Sequence, residues 1–151
     1  MQIRTYHIES FGCQMNLSDS ERIAAQLDSL ECVSVDQEEQ ADVVILNTCC
    51  VRESAENRIF GRIGALKRLK HKNPECIIII AGCLAQKDQT AIFRRAPHVD
   101  IVLGTQNVDR LAEILHDKQQ HKRQVESQPN AEDGLCDPVG SRRHTGVSAW
   151  I

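Results

Sequence analysis

Apolar positions along the chain switch repeatedly between the spacing of a strand and the spacing of a helix. Ile3, Thr5, Tyr6 and Ile8 sit in a β-favouring stretch that predicts a first strand over 2–9. Ser18-Asp19-Ser20-Glu21 has the capping-box spacing, and Ile23, Ala24, Leu27 and Leu30 follow at helical intervals. Residues 32–35 form a short second strand and 36–40 a polar connection. The run 42–46 is nearly unbroken in its apolar character, as in a parallel strand covered on both faces. A long helix is predicted over 53–70, with Ala55, Ile59, Ile63 and Leu66 on one face. Its other face carries Arg58, Arg62, Lys67, Arg68, Lys70 and Lys72. Asn73-Pro74 ends that helix, because proline disfavours helical geometry in the residue before it. Residues 75–81, with Cys76 and four isoleucines, make the next strand, 84–95 a short helix stopped before Pro97, and 99–103 a last strand. Val108, Leu111, Ala112 and Leu115 mark a final helix beginning at Asn107.

Strands alternating with helices predict an α/β domain. It has a doubly wound, mainly parallel sheet of about five strands, with helices on both faces, of the Rossmann or flavodoxin type. Such sheets bind ligands in the crevice outside the carboxyl ends of their strands. The pattern holds over 1–117 and dissolves over 118–146, where Gln128-Pro129-Asn130 and Asp137-Pro138 are linker chemistry. Val147 to Ile151 begins another β-like run, read as the start of a further domain.

The length of 151 residues is enough for one domain with a real core, and 41% hydrophobic with 26% charged residues is a globular composition. A net charge of −3 gives no global signature of nucleic-acid binding, so any RNA contact must be local. The basic face of the long helix could meet RNA phosphates, although a solvated face is the commoner meaning of such a run. No run is long and apolar enough for a signal core or a membrane span, and the expectation is a cytoplasmic protein without membrane attachment.

Three stretches place a cysteine just after an apolar run and just before a helical one. They are Ser10-Phe11-Gly12-Cys13-Gln14-Met15-Asn16, Asn47-Thr48-Cys49-Cys50-Val51-Arg52 and Ala81-Gly82-Cys83-Leu84-Ala85-Gln86. Parallel strands would bring Cys13, Cys49 and Cys83 to one edge of the sheet. Thiolates bind iron–sulfur clusters or zinc, and three leave a coordination corner vacant where four would close the cage. The separations of 36 and 34 residues are weaker evidence than a local C-x-x-C pair, and on spacing alone metal ligands and inert thiols are equally good readings. Seven cysteines in a reducing compartment are in any case better read as ligands or packing residues than as a disulfide frame.

Cys50 is read as a packing residue rather than a fourth ligand, Cys32 and Cys76 as core, and Cys136 as a thiol of the linker. The six histidines show no ligand spacing. Gly12 and Gly82 permit tight turns and the approach of a bulky inorganic group. No G-x-G-x-x-G or G-K-[ST] follows either of them, which disfavours nucleotide binding. Asn16 and Asn47 are read as turn residues, with hydrogen bonds to sulfur as the other possibility.

With these motifs laid out, residues 2–116 resemble the N-terminal domain of the methylthiotransferases, radical-SAM enzymes that insert a methylthio group into tRNA or a ribosomal protein. The resemblance implies an α/β domain in which Cys13, Cys49 and Cys83 hold an auxiliary 4Fe–4S cluster. Gly12-Cys13-Gln14-Met15-Asn16, Asn47-Thr48-Cys49 with Val51-Arg52, and Gly82-Cys83 with Ala85-Gln86 are similar to the branch that modifies carbon 2 of N6-isopentenyladenosine beside the tRNA anticodon. The ribosomal-protein branch has Pro-Lys, and the threonylcarbamoyladenosine branch Lys-Val, where Gln14-Met15 stands. Ser10 and Leu84 are mild departures from threonine and methionine. The radical-SAM motif C-x-x-x-C-x-x-C is absent, so the expectation is a fragment that is inactive alone. A second 4Fe–4S cluster and S-adenosylmethionine are expected in the missing domain. The implied partners are tRNA, S-adenosylmethionine and a sulfur donor, with the chain a monomer. A methylthiotransferase for another substrate and a standalone metal or redox module are the competing expectations.

Overall fold

In the computed structural model, residues 3–12, 14–49, 53–118 and 124–126 are described. They form a single six-stranded sheet in which every neighbouring pair is parallel. The strands are β1 (Thr5–Ser10), β2 (Val33–Ser34), β3 (Val43–Thr48), β4 (Ile77–Gly82), β5 (Ile101–Leu103) and β6 (Gln124–Glu126), in the order β2-β1-β3-β4-β5-β6. The helices are α1 (Gln14–Ser29), α2 (Glu53–Lys72), α3 (Cys83–Lys87), α4 (Gln89–Arg95) and α5 (Leu111–Lys118), with 3-10 turns at Glu38–Gln40 and Thr105–Arg110. Five of the six strands are those the apolar pattern predicts. The sixth falls inside the stretch expected to be linker, of which Lys118, the last residue of α5, and 124–126 are described.

The sheet is covered on both sides because alternate residues of its central strands are apolar in both directions. Every residue of β3 and β4 is buried. Val44, Leu46, Ile78 and Ile80 face a layer built from Ile59, Ile63 and Leu66 of α2, Leu84 and Ala85 of α3, and Ile92 of α4. Val43, Ile45, Ile77 and Ile79 face the other way, onto Ile23 and Leu27 of α1 and Leu111, Ile114 and Leu115 of α5. The two layers are the physical content of the doubly wound arrangement. No helix among the described residues is long and apolar enough to cross a membrane.

Several boundaries differ from the sequence reading. Helix α1 starts at Gln14, so Ser18–Glu21 is not its cap; Ser20 instead uses its hydroxyl sideways, toward Ser10 and Asn47. Leu30 lies beyond the helix and is exposed. The predicted helix over 84–95 is two helices that break at Asp88, whose backbone leaves helical geometry (φ −147°, ψ 58°). Asp88 still joins them, its N–H donating to Leu84 O and its carbonyl accepting from Ile92 N (both 3.1 Å). The final helix begins at Leu111, after the 3-10 turn.

The basic face of α2 is also smaller than its sequence. Arg62 is drawn inward to the carboxylates of Glu9 and Glu38. Lys70 donates to Cys76 O (2.6 Å) and Asp100 Oδ2 (2.7 Å). Arg58, Lys67, Arg68 and Lys72 remain exposed.

Candidate metal centre

Chain order 2-1-3-4-5 reverses direction between β1 and β3, since the chain leaves β1 for one edge and returns to the other side. The crevice of such a sheet opens at that reversal, outside the carboxyl ends of the strands. The pairing Ser10↔Asn47 brings the ends of β1 and β3 level, and Phe11 N donates to Asn47 O (2.8 Å) to extend the ladder past β1. On the other side of β3, Thr48↔Gly82 is the last pair with β4. The next residue on each of these two strands is a cysteine. Cys49 and Cys83 therefore leave neighbouring strands at the same level.

Cys49 is buried and Cys83, the first residue of α3, is half-buried; both are thiols rather than half-cystines. Cys13 lies outside the described residues, as do Cys50 and Cys136, and so does the expected domain start at 147–151. The described strand β1 ends three residues before Cys13, at the same rim. Among the described residues no group of three or more His, Cys, Asp or Glu is gathered for a metal. The described portion of the predicted ligand set is thus the pair Cys49 and Cys83.

The rim is rigidly made. Gly12 and Gly82 both take positive φ, 125° and 97°, a region that side chains with a Cβ avoid. At Gly82 the reason is contact as well as torsion: a Cβ there would lie 2.2 Å from Thr48 O and 2.8 Å from Asn47 Oδ1. Asn47, fully buried, donates from Nδ2 to Ser20 Oγ (2.9 Å), and Ser10 and Ser20 share a hydroxyl hydrogen bond. Thr48 Oγ1 donates to Ala81 O (2.7 Å). These bonds tie α1 to β1 and β3 and lock β3 to β4 immediately below the two cysteines. Asn47 was read from sequence as a turn residue; the structure makes it a brace.

Two other cysteines serve as a contrast. Burial pushes the Cys76 thiol up to about 11 and raises that of Cys32 as well. Both sit toward the amino ends of the strands, away from the rim, and the sequence reading of them as core holds. A group that sequence reasoning missed lies on the opposite edge of the site. Asn107, in the 3-10 turn after β5, is fully buried, and among the described residues neither its Nδ2 nor its Oδ1 has a hydrogen-bond partner. It lies four residues past β5, whereas Cys49 and Cys83 directly follow β3 and β4, so its place along the chain carried no signal of a shared site.

Together these features mark a doubly wound parallel domain that presents thiols at the carboxyl ends of its strands. The chain belongs to the Uncharacterized protein family UPF0004, whose model matches residues 5–104. Across nearly its whole length it is also similar to curated proteins named tRNA-2-methylthio-N(6)-dimethylallyladenosine synthase. Identity is 44% over 149 residues with the protein of Acidothermus cellulolyticus, covering 98% of this chain and 30% of that relative. It is 40% over 154 residues with that of Carboxydothermus hydrogenoformans, covering 100% and 35%. With the protein of Clostridium perfringens it is 39% over 153 residues, covering 100% and 34%. The chain spans about a third of the length of the curated relatives it matches.

Proposed function

We propose that this chain is the cluster-carrying domain of a tRNA methylthiotransferase, one that adds a methylthio group to carbon 2 of N6-isopentenyladenosine beside the anticodon. The observation that carries the reading is the level placement of Cys49 and Cys83 on adjacent strand ends, beside the end of β1 that leads to Cys13. The relatives' shared name supplies the substrate class.

The donor set fits a 4Fe–4S cluster. Soft thiolates are its ligands, and the rim offers two of them with a third one residue past Gly12. Three cysteine ligands would leave one iron of such a cluster without a protein ligand, and the chemistry it would supply there is binding of an exogenous sulfur. The residues of this chain have supporting tasks. Cys13, Cys49 and Cys83 would fix the cluster, making no bond to the tRNA. Gly12 and Gly82 keep side chains out of the turns where it must sit. Asn47, Ser20 and Thr48 tie α1 to β3 and β3 to β4, which would hold the loops bearing Cys49 and Cys83 in register for such a cluster. Preorganised ligands of this kind lose little freedom on binding.

The radical-SAM cluster, S-adenosylmethionine and the main RNA grip belong in this reading to the rest of a longer protein working in the cytoplasm with a sulfur donor. Disrupting the gene and digesting total tRNA for mass spectrometry tests it. Loss of 2-methylthio-N6-isopentenyladenosine with accumulation of N6-isopentenyladenosine is expected. Unchanged levels of the methylthiolated nucleoside would refute the assignment.

A further inference from the structure

The carboxyl rim is a row of four successive loops, following β1, β3, β4 and β5. The first three carry cysteines. The fourth carries Asn107. Ala81↔Leu103 is the last pair of β4 with β5, so the turn after β5 leaves the sheet beside Gly82 and Cys83. Asn107 follows within the same turn, its N–H donating to Gly104 O (3.0 Å). That turn packs on β4 and α3, the elements bearing Gly82 and Cys83, and on α1. Its neighbours are well anchored: Gln26 donates from Nε2 to Val108 O and accepts from Ala112 N (3.1 Å), while Arg22 pairs with Asp109.

A buried carboxamide with both ends unpaired is costly, on the order of 1–3 kcal/mol for each unsatisfied group. The surrounding loop is tightly held by other residues, so nothing about the fold alone calls for an amide here. A leucine would fill similar space without the penalty. We propose that Asn107 is a binding residue of the rim site, its Nδ2–H hydrogen-bonding sulfur of the group held beside Cys83, with Oδ1 left to a water admitted with that group. A carboxamide suits the place because it does not displace a thiolate or close the open iron, yet offers a donor to sulfur. Hydrogen bonds to sulfur raise the reduction potential of an iron–sulfur centre and slow its loss. The inference rests on the cluster reading above.

The test uses the 151-residue chain and its Asn107→Leu variant, each melted without metal and again after anaerobic reconstitution with iron and sulfide. Without metal, the variant is expected to melt no lower than the parent, because it loses only unpaired polar atoms. After reconstitution it should take up the cluster, release iron to a chelator roughly tenfold faster, and show a lower midpoint potential. A variant that melts clearly lower without metal, yet keeps the parent's release rate and potential, would show the amide to be served within the protein and overturn the inference. A parent chain that takes up no cluster would instead remove the reading beneath it.

Discussion

A methyl group at position 82 would collide with the carbonyl oxygen of Thr48, and no side chain can move to admit it. Gly82→Ala also forces a residue with a Cβ to φ near 97°. Strain and overlap together should cost about 2–4 kcal/mol, read as a lower urea midpoint of the metal-free chain. An equal or higher midpoint would mean that the β3–β4 rim is looser than described. Cys76 makes a second residue-scale prediction. Its folded thiol ionises near pH 11 because burial disfavours the thiolate, whereas the unfolded thiol ionises near its ordinary value. Between those values the unfolded chain binds fewer protons, so stability must fall as pH rises from about 9 to 11. Cys76→Ala should flatten that decline, even though its cavity lowers stability at neutral pH. A slope unchanged by the substitution would contradict the burial of this thiol. Tyr6, pushed up to about 12 by burial and by its bond to Asp28 (2.8 Å), extends the same trend to higher pH.

Among the elements, α2 shows why charge patterns mislead. From sequence its cations form one face, but two of the six are spent on tertiary pairing. Asp100, at the start of β5, takes hydrogen bonds from Ile78 N (2.9 Å) and Lys70 Nζ (2.7 Å), and Lys118 of α5 lies 3.7 Å away. One carboxylate thereby joins both helical layers to the amino edge of the sheet. Asp100→Ala leaves two half-buried ammonium groups and a backbone N–H without it, and should cost about 3 kcal/mol in chemical denaturation. Arg22→Ala breaks an exposed pair with Asp109 and should cost under about 1 kcal/mol. Comparable losses from the two substitutions would overturn this ranking. The break at Asp88 belongs to the same lesson. Neither glycine nor proline marks it; past the break Ala91 and Ile92 are buried, Ile92 in the layer under β3 and β4.

At the scale of the molecule, the parallel sheet was legible because β3 and β4 are apolar on both faces, which only a sandwiched strand tolerates. Placement of Cys49 and Cys83 at one edge follows from that topology, since parallel strands share their carboxyl ends. The braces were not legible. Ser20 and Asn47 lie 27 residues apart, and their meeting depends on α1 crossing the end of β1. Nor was β6, whose three residues carry a single apolar side chain and pair only with the edge of β5. Nor was Asn107, since an unpaired amide is a fact of burial, and burial at a helical turn cannot be read from one residue's neighbours.

In the proposed function, the carboxyl rim gathers Cys13, Cys49 and Cys83 into one three-thiolate cradle. Iron and sulfide analysis of the anaerobically reconstituted chain, with Mössbauer spectra, decides whether it does. One 4Fe–4S cluster per chain is predicted, lost in each of Cys13→Ala, Cys49→Ala and Cys83→Ala and kept in Cys50→Ala and Cys76→Ala. A cluster that survives loss of any of the first three, or tight zinc binding with no cluster formed, would contradict it.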